Sequence, residues 1–193
     1  MKQVIDLPRI GETLAFNDAR EQTSGRRSEG IVTIAAGKKG PGAHKHMLQT
    51  EGFEVISGCM IAKVNGVTHT AYPGQTILVE PGESHTFVNG SETEPLVAKF
   101  WYEPALNTEE MLQIMGEEAM RRGGSWDNLP LLATMHLFFQ MRREYRFAGM
   151  PYWLQDVIFG FGSVLARLTG AAKKMPMEMV AFTVRQGQVI TVN

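Results

Sequence analysis

The sequence offers a single cysteine, Cys59, so no disulfide can form within one chain. A reducing setting fits that usage, and a cytoplasmic protein is expected. Charge is equally sparse in its bias: the formal net charge is −1 over 193 residues. That near-balance gives no electrostatic reason to expect nucleic acid or an anionic membrane as partner. No helix-turn-helix signature and no basic patch stands out. The opening residues, MKQVIDLPRI, lack the apolar run of a secretory signal. No uncharged apolar stretch reaches the roughly 20 residues of a membrane span; the nearest, PYWLQDVIFGFGSVLARL, carries Gln155, Asp156 and Arg167. No internal repeat or low-complexity tract is visible. What the chain does have is 44% apolar residues, enough for a sizeable core.

The chain divides by its periodicity. From Gly30 to Tyr102, short β-rich runs such as IVTIAA, FEVISG, MIAKVNG, TILVEPG and HTFVNG follow one another, most ending in a turn residue. Many short strands at close spacing predict a sandwich or closed barrel. Residues 1–30 read as an arm with one or two edge strands, and NDAREQTSGRRSEG as a loop. After Pro104 the period becomes helical. Asn107 and Glu110 have capping-box spacing, and Gly123-Gly124 stop that first helix. A second helix is expected from about Leu129 to Arg146. A third starts at Pro151 and ends near Gly170. The last stretch, MVAFTVRQGQVITVN, reads as two β runs about Gln186-Gly187. The expected organisation is a β-barrel with its arm over 1–104, a helical tail over 105–170 and a β-like extension over 171–193. The twelve methionines cluster after Glu110, which suggests an adaptable apolar surface there.

The chemistry concentrates in GAHKHMLQTEGFEVISG. Alternate residues of a strand share a face, so His44 and His46 project together if AHKHM is extended. A turn through Met47 to Thr50 brings Glu51 beside them. His85 follows a Pro-Gly turn at the start of another strand. Imidazoles and a carboxylate are common donors to a divalent transition metal, and a site that keeps an open position can work on a substrate. Each residue alone has a plainer reading: an isolated strand histidine is usually a surface or core residue, and Glu51 alone is a solvated charge. The joint pattern favours a metal site. His69 and His136 carry no such pattern and are set aside.

These spacings resemble the two motifs of the cupin superfamily. His44-x-His46, Glu51 and Gly58 match the first motif; Gly74, Gly82, His85 and Asn89 match the second, with Glu80 where the family's proline is expected and Pro81 one place later. The resemblance covers roughly Gly30 to Tyr102. It implies a mainly β fold, a cupin double-stranded β-helix (jelly-roll barrel), here followed by a C-terminal α-helical segment. It implies one divalent transition metal (Fe, Mn, Ni, Co, Zn or Cu) held by His44, His46, Glu51 and His85, and a homodimer. QTEGFEVISG followed by an apolar helical tail is similar to small single-domain cupins labelled quercetin-dioxygenase-like.

Fold does not fix function. The leading expectation is a metal-dependent enzyme, dioxygenase-like, acting on a small organic molecule; no separate acid–base pair is evident, so a metal-bound water, or Glu51 leaving the metal, would move protons. A non-catalytic binding or sensing cupin is the alternative, and a metal-dependent isomerase or epimerase a further one. Gly58, Gly74 and Gly82 read as turn glycines, Asn89 as a brace, Phe53, Val55 and Phe87 as core or pocket wall, Cys59 as a small buried hydrophobe, and Arg26-Arg27 as a solvated pair. Trp153, Leu154, Val157, Ile158, Phe161 and Leu165 form one helical stripe. It is expected to bury against protein, as a dimer face or as a lid over the metal with Phe159 or Met150 reaching a substrate.

Overall fold

The computed structural model describes residues 4–185 and 188–192. The N-terminal arm forms β1 (Val4–Leu7) and β2 (Glu12–Phe16), then a short helix α1 (Ala19–Gln22) in the stretch expected to be a loop. The barrel strands are β3 (Ser28–Ile34), β4 (His44–His46), β5 (Thr50–Ser57), β6 (Met60–Val64), β7 (Val67–Ala71), β8 (Thr76–Val79), β9 (His85–Asn89) and β10 (Leu96–Glu103). The tail holds α2 (Thr108–Arg121), α3 (Leu131–Gln140), β11 (Tyr145–Phe147) and α4 (Tyr152–Leu168), and a hairpin of β12 (Ala181–Arg185) and β13 (Gln188–Val192) follows. The expected turn of that hairpin, Gln186-Gly187, lies outside the described residues.

Two antiparallel sheets face each other in the order β1-β2-β3-β10-β5-β8 and β11-β4-β9-β6-β7. Period-2 burial explains the pairing of faces. Along β3 and β10 every second residue is buried, placing Val32, Ile34, Leu96, Ala98 and Phe100 inward. These meet Phe53, Val55, Met60, Ala62 and Phe87 in one core between the sheets. Burial of this apolar surface, at about 25 cal/mol per Å², is the main driving force for closing the sandwich. Asn89 braces the end of β9: its amide nitrogen donates to the carbonyls of Ile34, Ala35 and Glu94, and its oxygen accepts from the Ser91 amide. Gly58 sits at φ +82, and a Cβ there would lie 2.5 Å from the Pro95 carbonyl oxygen, so this turn needs glycine.

The tail departs from expectation in instructive ways. The helix expected to reach Arg146 stops at Gln140, and Met141–Arg143 form a 3-10 turn. Tyr145–Phe147 are a strand that joins the sheet beside β4. The supposed capping box is also used differently. Asn107 precedes α2 but makes no side-chain cap; its amide nitrogen donates to the buried Glu144 carboxylate at 2.5 Å and to the Val180 carbonyl, tying three parts of the tail together. Gly116 lets α2 approach β1, since a Cβ there would meet Ile5 at 2.6 Å. α3 and α4 pack together, and His136 Nδ1 lies 2.8 Å from Ser163 Oγ between them. The expected stripe on α4 divides: Leu154 and Leu165 are half-buried, while its other four residues stand uncovered on this chain. Trp153, Val157, Ile158 and Phe161 are exposed, and Val164 and Leu168 extend the same face. No helix among the described residues is long and apolar enough to cross a membrane.

Candidate metal centre

β4 is three residues long and presents His44 and His46 to the interior with Lys45 between them. Register places His44 opposite His85 on β9. Glu51 enters from β5 in the other sheet, opposite Tyr102 on β10. The four side chains are at most 4% exposed, and one donor atom from each falls within 4.8 Å of all the others. His69, by contrast, is exposed on β7, and His136 belongs to the helix pair. Only the three histidines picked out by their spacing come together.

The donor atoms fit an ion better than they fit each other. Glu51 Oε2 lies 2.5 Å from His85 Nε2 and 3.5 Å from His46 Nε2. Yet these atoms, with His46 Nδ1, are buried without a hydrogen-bond partner. Orphaned buried polar atoms of this kind cost about 1–3 kcal/mol each unless something satisfies them. His44 Nδ1 is 2.8 Å from the Gly42 carbonyl, so that nitrogen carries the proton in the neutral ring and leaves Nε2 as a lone-pair donor. His85 Nδ1 stands similarly 3.3 Å from the Glu83 carbonyl. The set can therefore hold one metal ion of the kind that takes nitrogen and carboxylate donors.

Burial keeps these groups in donor form. Desolvation, with His85 and His46 adding repulsion, pushes the His44 pKa down to about 3. Burial also lowers His46, against the pull of Glu51. For Glu51, burial acts to raise the pKa but is outweighed by attraction to His46, His85 and His44, which brings it down to about 2. His85 moves the other way: burial would lower it, but Glu51 raises it. Burial and the Glu51 charge raise Tyr102, so its phenol stays protonated.

A cavity of about 280 Å³ opens from the cluster. Its barrel wall includes Leu14, Phe53, Phe87 and Phe100; the tail supplies Met111, Met115, Trp126 and Phe138. The tail is thus the closing wall of the chamber. Phe159 and Met150 are not part of that wall; Phe159 packs behind Phe138 and Phe147, which are. Two aromatic neighbours escaped the sequence reading. Tyr145 stacks on His44 with centroids 5.0 Å apart at 17°, and Tyr102 lies against His46 at 5.0 Å. Glu12 also faces the cavity. Its signal was present in ETLAF, where an acid occupies the same strand face as Leu14 and Phe16. Cys59 is only half-buried, and Arg27 is not merely solvated: it pairs with Glu29 and stacks over Trp101.

Residues 30–102 match the family model for the cupin domain. No curated protein matches the chain. Among solved structures, a sugar phosphate isomerase from Silicibacter pomeroyi is 22% identical, with a TM-score of 0.42, over 48% of this chain and 59% of its own. The Cnp3 cupin domain of Schizosaccharomyces pombe is 18% identical, with a TM-score of 0.44, over 59% of this chain and 72% of its own. A predicted oxalate decarboxylase from Thermotoga maritima is 19% identical, with a TM-score of 0.45, over 48% and 80% respectively. Residues 30–102, with their facing antiparallel sheets and buried His-Glu cluster, are a cupin superfamily domain.

Proposed function

We propose that this protein is a metal-dependent enzyme acting on a small organic molecule, with His44, His46, Glu51 and His85 holding one divalent transition metal. The observation that carries the reading is the cluster of four buried donors, three of which, His44, His46 and Glu51, line a partly open, largely apolar cavity. A metal bound there would supply Lewis-acid polarisation of a substrate oxygen and, as Fe(II), the capacity to activate O₂. The chain's own residues do the rest. The apolar walls limit contact with bulk water and so strengthen electrostatic interactions beside them. Tyr102 keeps its proton and lies opposite Glu51, so it can donate to that carboxylate. Glu51, where it leaves the metal, is a carboxylate of the cluster that can take a proton.

Among reaction classes, the dioxygenase reading is the one we adopt. It predicts that the iron-loaded protein consumes O₂ with a β-diketone or catechol from a substrate panel, and that Glu51→Ala does not. Tight binding of one compound without turnover across the panel would instead support a sensing cupin. One observation favours that second reading: the tail that walls the cavity also carries the exposed apolar face of α4, a route from chamber to surface. We also propose that this face pairs with a second copy of the chain. Its exposed residues Trp153, Val157, Phe161, Val164 and Leu168 recur at steps of three and four, the spacing of a helix seam. The helix carries too few basic residues for a membrane surface.

A further inference from the structure

Glu12 is a carboxylate in the wrong company. It is 5% exposed, and it faces the same cavity as the histidine cluster. Its hydrogen-bond partner is the indole of Trp126, whose Nε1–H donates to Oε2 at 3.1 Å. Among the described residues no lysine, arginine or histidine forms an ion pair with it, and no lysine or arginine lines the cavity. Burial raises its pKa, opposed only by the Trp126 hydrogen bond. A buried acid left without a countercharge is costly, and replacing it with an apolar residue is often neutral or stabilising. Structure alone gives little reason to keep it.

Other polar groups in the wall are already engaged. Thr108 Oγ1 donates to Gln49 Oε1 at 2.7 Å, and Thr134 Oγ1 to the Pro130 carbonyl at 3.0 Å. Tyr102 and Tyr145 belong to the histidine cluster. Glu12 is therefore the one carboxyl of the wall outside that cluster, and its Oε1 has no side-chain partner among the described residues.

We propose that Glu12, held by Trp126, is a second recognition point of the chamber, binding the hydroxyl of an otherwise apolar small molecule. A hydroxyl both donates and accepts, so it satisfies the carboxyl in either protonation state. The apolar side chains that share the cavity wall with it, Leu14, Met115 and Leu129 among them, accept the apolar body. This deepens the reading of the cavity as a small-molecule chamber and rests on it; it does not require bound metal.

The test is calorimetry with phenol and toluene, which match in size and differ in the hydroxyl, on zinc-loaded wild type, Glu12→Leu and the metal-site variant His46→Ala. Wild type should prefer phenol. Glu12→Leu should lose about tenfold of that preference, the worth of one hydrogen bond to a buried polar group. His46→Ala should keep it. In wild type, phenol but not toluene should shift the Trp126 indole N–H resonance, assigned with Trp126→Phe, which tests the site even where Glu12→Leu does not fold. Equal phenol preference in Glu12→Leu and wild type, or loss of it in His46→Ala alone, overturns the proposal while leaving the chamber intact. Binding of neither probe overturns both the proposal and the chamber.

Discussion

Tyr145 lies in the tail, yet its ring faces the candidate ligands His44 and His46, and removing it should weaken metal binding more than its share of stability explains. The ring stacks on His44 at 5.0 Å and meets His46 edge-on at 5.7 Å. Its strand β11 pairs with all three residues of β4, whereas β4 meets β9 only at His44 and His85. β4 thus owes most of its ladder to the tail. In Tyr145→Ala both ligand rings gain freedom that metal binding must then remove. Loss of outer partners of metal-bound histidines typically costs 10- to 100-fold in affinity, about 1.4–2.8 kcal/mol. The same truncation should also cost about 3 kcal/mol of folding stability, as for other large aromatic side chains. Phe138→Ala separates the two effects. Phe138 touches Tyr145, Phe147 and Phe159 but stacks on none of the histidines of the cluster. It should lose comparable stability with little change in affinity. Competition with a chromogenic zinc chelator gives the affinities, and urea unfolding the stabilities. If Tyr145→Ala binds zinc as wild type does, or if Phe138→Ala loses just as much affinity, the tail does not brace the ligand strand and this reasoning fails.

Three other predictions concern the same framework. Purified protein should carry close to one transition metal per chain by mass spectrometry; His46→Ala and His85→Ala should lose most of it and His69→Ala none, so equal content in all four would remove the ligand assignment. Metal-free protein should lose stability on acidification: His44 folds with its pKa near 3 against 6.5 unfolded, so unfolding takes up a proton below 6.5. That group alone costs about 1.4 kcal/mol between pH 7.5 and 5.5; His46 acts in the same direction, while His85, whose pKa is raised, stabilises below 6.5 and offsets part of the loss. Denaturant midpoints that do not fall, or that fall as much in His44→Ala, contradict the assignment. Light scattering should find a dimer for wild type and a monomer for Phe161→Glu, whose position is 66% exposed on α4; a wild-type monomer would remove the helix seam as an interface.

The barrel was legible because its signals are local. Alternation, turn glycines and two spaced motifs all lie within residues 30–102, the span that the cupin model matches. His44, His46, Glu51 and His85 were legible for the same reason, since strand alternation and short turns dictate where each points. The tail was not, because its signals are tertiary. LLATMHLFFQMRREYRF has a helical composition throughout, and nothing local marks Tyr145 as a strand. The strand is defined by its antiparallel pairing with the distant β4, a partner that no local window contains. Asn107 was misread similarly: capping spacing is a local rule, and the buried Glu144 carboxylate competed for its amide more strongly. Glu12 was visible as a charge on an apolar strand face, but without the cavity nothing distinguished it from a solvated edge residue.

The tail also changes what the barrel is able to do. A jelly roll of this size fills its interior with its own side chains, and its metal site would open to water at one end. Here α2, α3 and the 3-10 turn at Trp126–Asn128 bring Met111, Phe138 and Trp126 to the cavity wall, and β11 extends the sheet that carries His44, His46 and His85. The tail that walls the chamber thus also reaches the histidines, through Tyr145. A perturbation of the outer helix face can reach the site through a short physical chain: Phe159 of α4 packs on Phe138 and Phe147, Phe138 packs on Tyr145, and Tyr145 stacks on His44. Contiguity alone does not establish coupling. The link becomes energetic if Phe161→Glu, which changes only the exterior, also alters zinc affinity. It stays purely architectural if the affinity is unchanged while the oligomeric state is lost.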